Sequence, residues 1–543
     1  MKLLRFTLPL IILFAIFAFA DDQHQHALTE DEVGSVQFAT SCAASVQKDF
    51  NGAVALLHSF QYEQSRRAFE NVAAKDPQCA MAYWGVAMSY YHGLWENSDL
   101  ASGRTAWRKA DQIASSNTKT TPREKAYIEA LGEIYRQDDK DQATHARAFE
   151  QKFGALQASY PDDSEAAIFH ALSLDITAPK TDKTFSNQRK CGEILEPIFQ
   201  KQPHHPGVAH YIIHCYDNVA LAEQGLPAAR LYAKIAPISA HAHHMPSHLF
   251  TRVGLWSESI ESNKRSAQIA AAAEATSSNG EARDQRLHAM DYLEYAYLQN
   301  GEVDKAKAVL SEMLSFAPAS GLTFTGNYAL AAIPARSVLE LGAWDAASRI
   351  EPLKTGVPWA QAISWTAIGV GSARSKNPSR AAEAERMLAS LHEQAAKLNN
   401  SYWADQIEVQ RREVAAWIAR SSGKQDDALT MMRSAVELEE SMDKHAVTPG
   451  AVIPAREMLA QMLTLNDQPK AAFAEYQAVL KLAPNRFNAL YGAAASAEAA
   501  GQLQEARNYY LKVTEVAPGF QRTEQKAAQE KLASLSAHNI QQR

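Results

Sequence analysis

Small residues, large apolar residues and prolines recur along this chain with a period of 34. Pro484 and Pro518 are 34 apart, and so are Tyr476 and Tyr510, which precede them. Small residues let two helices approach each other, large apolar residues fill the space between them, and the proline ends the second helix. The pattern predicts a series of helical hairpins from about Gln47 to Pro518, with almost no strand-like alternation.

The spacing within one unit is that of a tetratricopeptide (TPR) repeat. In the unit that starts at Leu287, Gly301, Ala306 and Pro318 occupy offsets 15, 20 and 32. One hairpin cannot bury its own apolar face, so neighbouring hairpins stack into a right-handed solenoid with a concave surface. The predicted fold class is therefore all-α, a TPR-type α-solenoid of stacked antiparallel helical hairpins.

The N-terminus has the pattern of a secretory signal peptide. Lys2 and Arg5 precede an apolar run from Phe6 to Ala20, which ends in small residues before Asp21. The run has about 15 residues, fewer than the roughly 20 that span a bilayer, and a retained membrane anchor is the alternative. We expect a periplasmic or secreted protein that has no stable membrane insertion after signal cleavage.

The predicted domain organisation follows from the signal and the repeats. Residues 1–20 are the signal peptide, and residues 21–44 are an N-terminal segment. Residues 45–325 form an N-terminal TPR array with a histidine-rich groove, and residues 326–543 form a C-terminal TPR array with a capping helix. The division rests on looser stretches rich in Gly, Pro and Ser, the first of them around residues 319–328.

Four cysteines become candidates for disulfides once export is expected. Cys191 and Cys215 lie about equally far from the break at residues 203–206, so they would be level in an antiparallel hairpin. Cys42 and Cys79 each precede the start of a helix in consecutive repeats. We predict the pairs 42 with 79 and 191 with 215, and the alternative is that all four are free, buried thiols.

Composition and charge exclude several classes of protein. The chain is 46% hydrophobic and 21% charged, which is typical of a globular protein. Its net charge is −7 and becomes −9 without Lys2 and Arg5, so no basic surface for nucleic acid is expected. Phosphate-binding loops, HExxH and GxSxG are absent, and we therefore expect no nucleotide cofactor.

Histidines are concentrated in one stretch of the sequence. Of the 18 histidines, eight lie between residues 204 and 248. His210 and His214 are four apart, and so are His244 and His248, so each pair presents two imidazoles on one face of a helix. The two pairs are 34 residues apart. Because this equals the repeat period, all four rings are expected at equivalent positions of adjacent helices on the concave side.

Three further residues extend this side of the predicted groove. His288 and Asp291 lie on the same side in the next repeat, and Asp217 follows His214 by three residues. Neutral imidazole is a ligand for Zn, Cu, Ni and Fe, and helical proteins commonly build metal sites from histidines on facing helices. The sequence therefore predicts a transition-metal site, with Zn or Cu preferred, formed by His210, His214, His244, His248, His288, Asp291 and Asp217.

Other interpretations of these histidines stay open. They could form an anion-binding or catalytic patch without a metal, or they could be structural. Pro246 is an objection to the metal site, because a helix that began only there would leave His244 in a loop. Four other histidines of the stretch are expected at hairpin ends, as rim or solvent residues: His204, His205, His241 and His243.

A second pair of histidines in register lies earlier in the chain. His58 and His92 are also 34 apart, and Trp84 and Trp95 are close to them in sequence. These four residues predict an aromatic patch in the groove for a peptide or glycan, with ordinary core packing as the alternative. His445, in a late loop, is a weaker candidate that could reach the groove from the far end.

Several strings are more specific than the repeat alone. The segments CAMAYWGVAM (79–88), ILEPIFQKQPHHPGVAHYIIHCYD (194–217), HMPSHLFTRVGLW (244–256) and NRFNALYGAA (485–494) resemble those of a family of large bacterial secreted TPR proteins with HPGxAHYxIH and HMPSH motifs. The resemblance covers nearly all of the mature chain. It implies the TPR fold and export, and it implies no reaction.

Together these observations favour an exported TPR binding or scaffold protein with a transition-metal site on its concave face. Its expected partner is a protein or peptide in the concave groove, and not a nucleic acid. One alternative is a metal-dependent enzyme with His-ligated Zn, Cu or Fe in the groove, in which Asp291 or Asp217 is a base or ligand. Another is a purely protein–protein interaction solenoid with structural histidines. Whether the protein is an enzyme stays open.

Overall fold

The structure is a computed structural model. It describes residues 29–95, 98–137, 140–275, 280–316, 322–398, 400–517 and 521–541. The predicted signal peptide, residues 1–20, lies outside the described residues. Within the described ranges the regular secondary structure is helical throughout, as the sequence pattern predicts.

The helices follow one another in three groups. The first group is α1 (Glu30–Val33), α2 (Gln47–His58), α3 (Tyr62–Lys75), α4 (Ala80–Met88), α5 (Leu100–Ser116), α6 (Pro122–Tyr135), α7 (Gln142–Ser159), α8 (Ser164–Ile176) and α9 (Ser186–Lys201). The second is α10 (Pro206–Cys215), α11 (Ala222–Ile235), α12 (Ala240–His244), α13 (Pro246–Arg252), α14 (Trp256–Glu274), α15 (Glu281–Gln299), α16 (Val303–Leu314), α17 (Phe324–Leu339) and α18 (Trp344–Ser348). The third is α19 (Pro358–Arg374), α20 (Pro378–Lys397), α21 (Ser401–Ser421), α22 (Gln425–Ser441), α23 (Ala455–Leu465), α24 (Pro469–Leu482), α25 (Phe487–Ala499), α26 (Leu503–Val516) and α27 (Thr523–Gln541).

The helices pack as antiparallel hairpins. From α2 with α3 to α25 with α26, each first helix packs on the helix that follows it, and α12 and α13 together serve as one first helix. First helices of neighbouring hairpins also contact each other, for example α15 with α17 and α19 with α21. This double packing buries every residue of α10, whereas second helices such as α3 keep an exposed polar face.

Local sequence signals begin these helices where the structure has them. Thr121 and Glu124 form a capping box at the start of α6, and Pro122 occupies the first helical position. A related cap begins α10, where Pro206 is the first helical residue and the His205 ring accepts from the Val208 backbone N–H. Such caps satisfy backbone donors that the helix leaves unpaired.

The C-terminal hairpins pack against the middle of the chain. The Trp256 indole N–H donates to the Asn485 backbone oxygen at 2.8 Å, and the Phe487 backbone N–H donates to Gln299 at 2.9 Å. Gly254 allows this contact, because its φ of +70° favours glycine and an added Cβ would collide with the Pro484 carbonyl. The superhelix therefore closes on itself and encloses its first helices.

The two disulfides in the structure are the two pairs that the sequence predicts. Cys42 is bonded to Cys79, and Cys191 is bonded to Cys215. The first connects the segment before α2 to the start of α4, and the second connects α9 to the end of α10. The described residues contain no helix with both the length and the apolar character needed to cross a bilayer.

Candidate metal centre

Six histidines from three consecutive first helices meet in the interior of the solenoid. His210 and His214 lie on α10, and His288 lies on α15. The composite helix α12–α13 contributes the remaining three. All six are buried, with exposed fractions between 0% and 7%. The full set is His210, His214, His241, His244, His248 and His288.

Pro246 does not separate His244 from His248. Ser239 caps the start of α12, so the helix begins before His244, at Ala240. Met245 has helical backbone angles, φ −52° and ψ −38°, and its N–H donates to the His241 backbone oxygen. Pro246 interrupts only the hydrogen-bond ladder, because it has no N–H to donate. The helical path therefore continues, and the Nε2 atoms of His244 and His248 are 3.0 Å apart.

The first three rings form a triad around His210. The Nε2 atom of His210 lies 3.0 Å from that of His241 and 3.1 Å from that of His214. His241 was expected at a hairpin rim, and its place in this triad is a correction to that prediction. The signal that would have found it is the cap at Ser239, which starts a helix in which His241 and His244 share a face.

The other three rings form a second triad, of His244, His248 and His288. One ligand atom from each ring lies within 4.8 Å of the others, as also holds in the first triad. The ring centres of His244 and His288 are 4.1 Å apart. The two triads adjoin, since the ring centres of His214 and His248 are 6.2 Å apart and those of His241 and His244 are 6.3 Å apart.

Hydrogen bonds orient three of the six rings. The Nδ1 atom of His210 lies 2.6 Å from the His58 backbone oxygen, and that of His248 lies 2.9 Å from a carboxylate oxygen of Asp217. The Nδ1 atom of His244 lies 2.7 Å from Asn263 Oδ1. Oxygen atoms of these kinds only accept, so each Nδ1 carries the proton and each Nε2 presents a lone pair.

Burial keeps these imidazoles neutral. It lowers the pKa of His210 to about 3 and the pKa of His248 below its ordinary value, against the opposing charge of Asp217. Burial, assisted by the neighbouring imidazoles, also lowers the pKa of the other four rings well below the ordinary value. Neutral imidazole is the form that binds metals.

Asp217 accepts a hydrogen bond from one ring of the second triad, that of His248. Its carboxylate accepts from the His248 ring, from Arg252 Nε at 2.8 Å and from Lys444 Nζ at 2.6 Å. Burial alone would raise the pKa of Asp217, but the charges of Lys444 and Arg252 hold it well below its ordinary value. Of the two roles open to Asp217 in the sequence, the geometry favours that of an acceptor which orients His248.

Asp291 does not join the histidines. Its carboxylate forms an ion pair with Arg336 at 2.7 Å, and Glu294 forms a second one with the same guanidinium at 3.1 Å. All three side chains are almost completely buried. The prediction of Asp291 as a ligand or base therefore needs correction, because a buried arginine from α17 is its partner.

The predicted groove residues near the N-terminus are mostly interior. His58 is fully buried, and its ring contacts Glu165 at 2.9 Å and the Tyr211 hydroxyl at 3.0 Å. His205, expected at a rim, contacts the other oxygen of Glu165 at 2.8 Å. Burial opposes ionisation of Glu165, but the two imidazoles hold its pKa below the ordinary value. These hydrogen bonds account for the His58 and His205 rings without an ion.

The other residues of the predicted aromatic patch do not lie together on one groove surface. Trp84 is fully buried in the apolar core, so it cannot line a groove. His92 stacks on Tyr62 with ring centres 4.0 Å apart, and Trp95 packs edge-on against His241 at 5.5 Å. Only His92 and Trp95 of the four residues keep partial exposure.

The loop between α22 and α23 reaches the site through Lys444 and not through His445, the residue that the sequence suggested. His445 stacks on Phe324, with ring centres 4.6 Å apart, and lies outside both triads. Its neighbour Lys444 contacts Asp217 instead. Sequence reasoning missed Lys444 because Lys444 and Asp217 are 227 positions apart along the chain.

Comparisons with known proteins identify no relative with an assigned activity. No protein-family model matches the chain, and no curated protein matches it. Among solved structures, yeast Tom70 is similar with a TM-score of 0.25 and 11% identity, over 91% of this chain and 89% of that one. A monomeric IFIT1 mutant with m7Gppp-AAAA is similar with a TM-score of 0.34 and 10% identity, over 81% of this chain and 90% of that one.

Proposed function

We propose that this protein is an exported TPR scaffold protein that binds transition-metal ions in its buried histidine cluster. The observation that carries the proposal is the contact between His244 and His248. Both rings have their proton on Nδ1, so two Nε2 lone pairs face each other at 3.0 Å. Two lone pairs repel, and a cation between them converts that repulsion into coordination.

The spacing of the ring nitrogens supports this proposal. Zinc binds histidine nitrogens at about 2.0–2.1 Å, which places two nitrogens of a tetrahedral site about 3.3 Å apart. Three Nε2–Nε2 distances within the triads, 3.0, 3.0 and 3.1 Å, are close to this separation. Small outward movements of the rings would therefore admit an ion into each triad. We infer a capacity of two ions, with Zn or Cu preferred.

The surroundings of the ligands support the proposal as well. A metal-binding histidine usually donates its other N–H to a carboxylate, a carbonyl or water, which fixes the ring and raises its basicity. His210, His244 and His248 each have such an acceptor in His58, Asn263 and Asp217. An ordinary buried histidine needs one such partner for each nitrogen, and here the Nε2 atoms have only each other.

The enclosed position favours a structural or storage role for the metal. None of the six histidines lines the cavity of about 400 Å³ that the structure contains near them in the chain's middle and C-terminal parts. The alternative is a metal-dependent enzyme, and one observation favours it. Three protein ligands per ion leave a fourth tetrahedral position open, as in catalytic zinc sites.

Export and partner binding belong to the same proposal. The Cys42–Cys79 and Cys191–Cys215 disulfides suit an oxidising compartment such as the periplasm or the exterior. Stacked hairpins create an extended surface that binds proteins or peptides in solenoid proteins generally. We propose a protein or peptide partner on that surface, and no nucleic acid, since the chain carries a net charge of −7.

Metal analysis of the mature protein, made without a histidine tag, tests the metal proposal. We expect about two equivalents of Zn or Cu, and about one in either His241→Asn or His288→Asn, because each variant removes one ligand from a different triad. The matched control is His243→Asn, since His243 lies on the same helix as His241 but contacts the Pro237 backbone oxygen. Absence of bound metal, together with no thermal stabilisation by added Zn or Cu, would refute the proposal.

A further inference from the structure

A second candidate site lies outside the histidine cluster, in the cavity of about 400 Å³ between the middle of the chain and its C-terminal hairpins. Residues of α13, α15, α17, α21, α22 and α23 line it, together with the loop before α23. Its walls are largely apolar, and Tyr328, Tyr402 and Trp403 give them aromatic surface. Cavities of this size with a few polar groups are typical of small-molecule sites.

Three of the four cations that line the cavity already have ion-pair partners. Arg252 and Lys444 bind Asp217, and Arg456 binds Glu440 at 2.5 Å. The remaining lysine of the lining, at position 183, is exposed to solvent. An anionic ligand would therefore have to compete with existing ion pairs for its positive charges.

Three acceptors of the lining are not satisfied in the same way. Glu413 is 3% exposed, and no hydrogen bond from another described residue reaches its carboxylate. One turn earlier on α21, the Gln410 side-chain oxygen is buried without a partner among the described residues. The carboxylate of Glu439, from α22, accepts the Ala455 backbone N–H and no other hydrogen bond from the described residues. Buried polar groups without partners are costly, so this concentration of acceptors needs an explanation.

We propose that the cavity binds a small organic amine, with its ammonium group between Gln410, Glu413 and Glu439 and its apolar body against Tyr402 and Trp403. An ammonium group supplies a positive charge and N–H donors, and such donors are missing at Glu413 and at the Gln410 oxygen among the described residues. Aromatic faces add favourable contact with an organic cation.

The charge state of the two carboxylates supports this assignment. Burial, followed by the charge of Glu439, raises the pKa of Glu413 well above its ordinary value, and burial raises the pKa of Glu439 to about 7. Protons therefore neutralise Glu413 and Glu439 when no other cation is present. A bound ammonium would replace them with a charge held at a defined position.

An inorganic cation is the main competing occupant, and the cavity is a poor match for it. Calcium takes six to eight oxygen ligands in a compact shell. Here Gln410, Glu413 and Glu439 line a space large enough for an organic molecule, and most of the lining is apolar. An organic amine uses both the acceptors and the apolar walls.

The test is titration calorimetry and thermal shift on the full mature protein with a panel of arylalkyl amines, beginning with 2-phenylethylamine. The neutral 2-phenylethanol and the anionic 3-phenylpropionate have similar shapes and are the comparison ligands. We expect an amine of the panel to bind at least tenfold more tightly than either comparison ligand. Failure of every amine, equal binding of the alcohol, or stabilisation by calcium instead of the amines would overturn the proposal.

Variants locate the binding within the cavity. Glu413→Gln keeps the side-chain shape and removes the charge, and we expect it to weaken amine binding at least tenfold. The matched control is Glu437→Gln, on the same helix as Glu439 but exposed and outside the cavity lining, which should bind like the unaltered protein. If Glu413→Gln does not fold, Gln410→Met serves in its place. Unchanged binding in the variant would refute the site, whatever metal the histidines bind.

Discussion

A single carboxylate, Asp217, connects the histidine cluster to the rest of the molecule. It accepts from His248 on one side, and from Arg252 and Lys444 on the other. The three donors come from α13 and from a loop of the C-terminal part, so this residue joins distant parts of the chain. Its negative charge also offsets two buried positive charges, which would otherwise be very unfavourable.

We predict that Asp217→Asn weakens zinc binding by about 10- to 100-fold, because the His248 ring loses the acceptor that fixes its tautomer. The same change should lower the free energy of unfolding by about 3–5 kcal/mol, since Arg252 and Lys444 lose their buried counter-charge. Competition with a zinc chelator and chemical denaturation measure the two effects. Asp443→Asn is the control, because Asp443 contacts Arg252 only at 3.4 Å. Unchanged zinc affinity in Asp217→Asn would show that this support is unimportant.

At the scale of elements, three consecutive first helices create the cluster. α10, the composite α12–α13 and α15 are buried along nearly their whole length, so histidines on them are removed from water. Burial disfavours the imidazolium form in every one of the six rings. The folded protein therefore binds fewer protons at these positions than the unfolded chain does.

We predict that the metal-free protein loses stability as the pH falls below 6.5. The pKa of His210 is about 3 in the folded protein and 6.5 ordinarily, so between these values the unfolded chain binds the extra proton and unfolding is favoured. Each such histidine contributes about 1.4 kcal/mol per pH unit within its window. Buried carboxyl groups act in the opposite direction. Burial raises the pKa of Glu294 to about 8, of Glu281 and Glu439 to about 7, and of Glu413 well above its ordinary value, but the histidines with a lowered pKa are more numerous.

Denaturation curves of the metal-free protein between pH 7 and pH 5 measure this dependence. His241→Asn should give a shallower slope than the unaltered protein, because one of the proton-binding groups is gone. His204→Asn, which alters an exposed histidine, is the control. A stability that is constant over this range would contradict the prediction.

At the scale of the whole molecule, closure of the superhelix brings the C-terminal hairpins onto the middle of the chain. Trp256 and Gly254 meet Asn485, and the buried Arg486 forms ion pairs with Glu340 and Glu457. This contact also encloses the cavity of about 400 Å³ and brings the loop of Lys444 to Asp217. The cavity and the contact of Lys444 with Asp217 therefore depend on closure.

We predict that Gly254→Ala opens this contact, because the added methyl group collides with the Pro484 backbone. Gly501→Ala is a matched control, since Gly501 has a similar φ of +76° but open space around its Cβ position. The control should cost only the backbone strain, about 1–2 kcal/mol. Gly254→Ala should cost more and increase the radius of gyration measured by small-angle X-ray scattering. An equal effect of the two substitutions would show that closure does not depend on Gly254.

The sequence by itself determined the all-α repeat, because a 34-residue period of small, apolar and proline positions is a local property of the chain. It also placed His210 with His214 and His244 with His248 at equivalent positions of adjacent hairpins, since four-residue spacing and the repeat period suffice for that.

Only the tertiary structure decided which of these groups meet. Asp291 is paired with Arg336, which is 45 residues away, and His58 contacts Glu165, which is 107 residues away. Lys444 reaches Asp217 only because the superhelix closes. A buried charge or imidazole takes the partner that is nearest in space, and a periodic pattern along the chain does not contain that information.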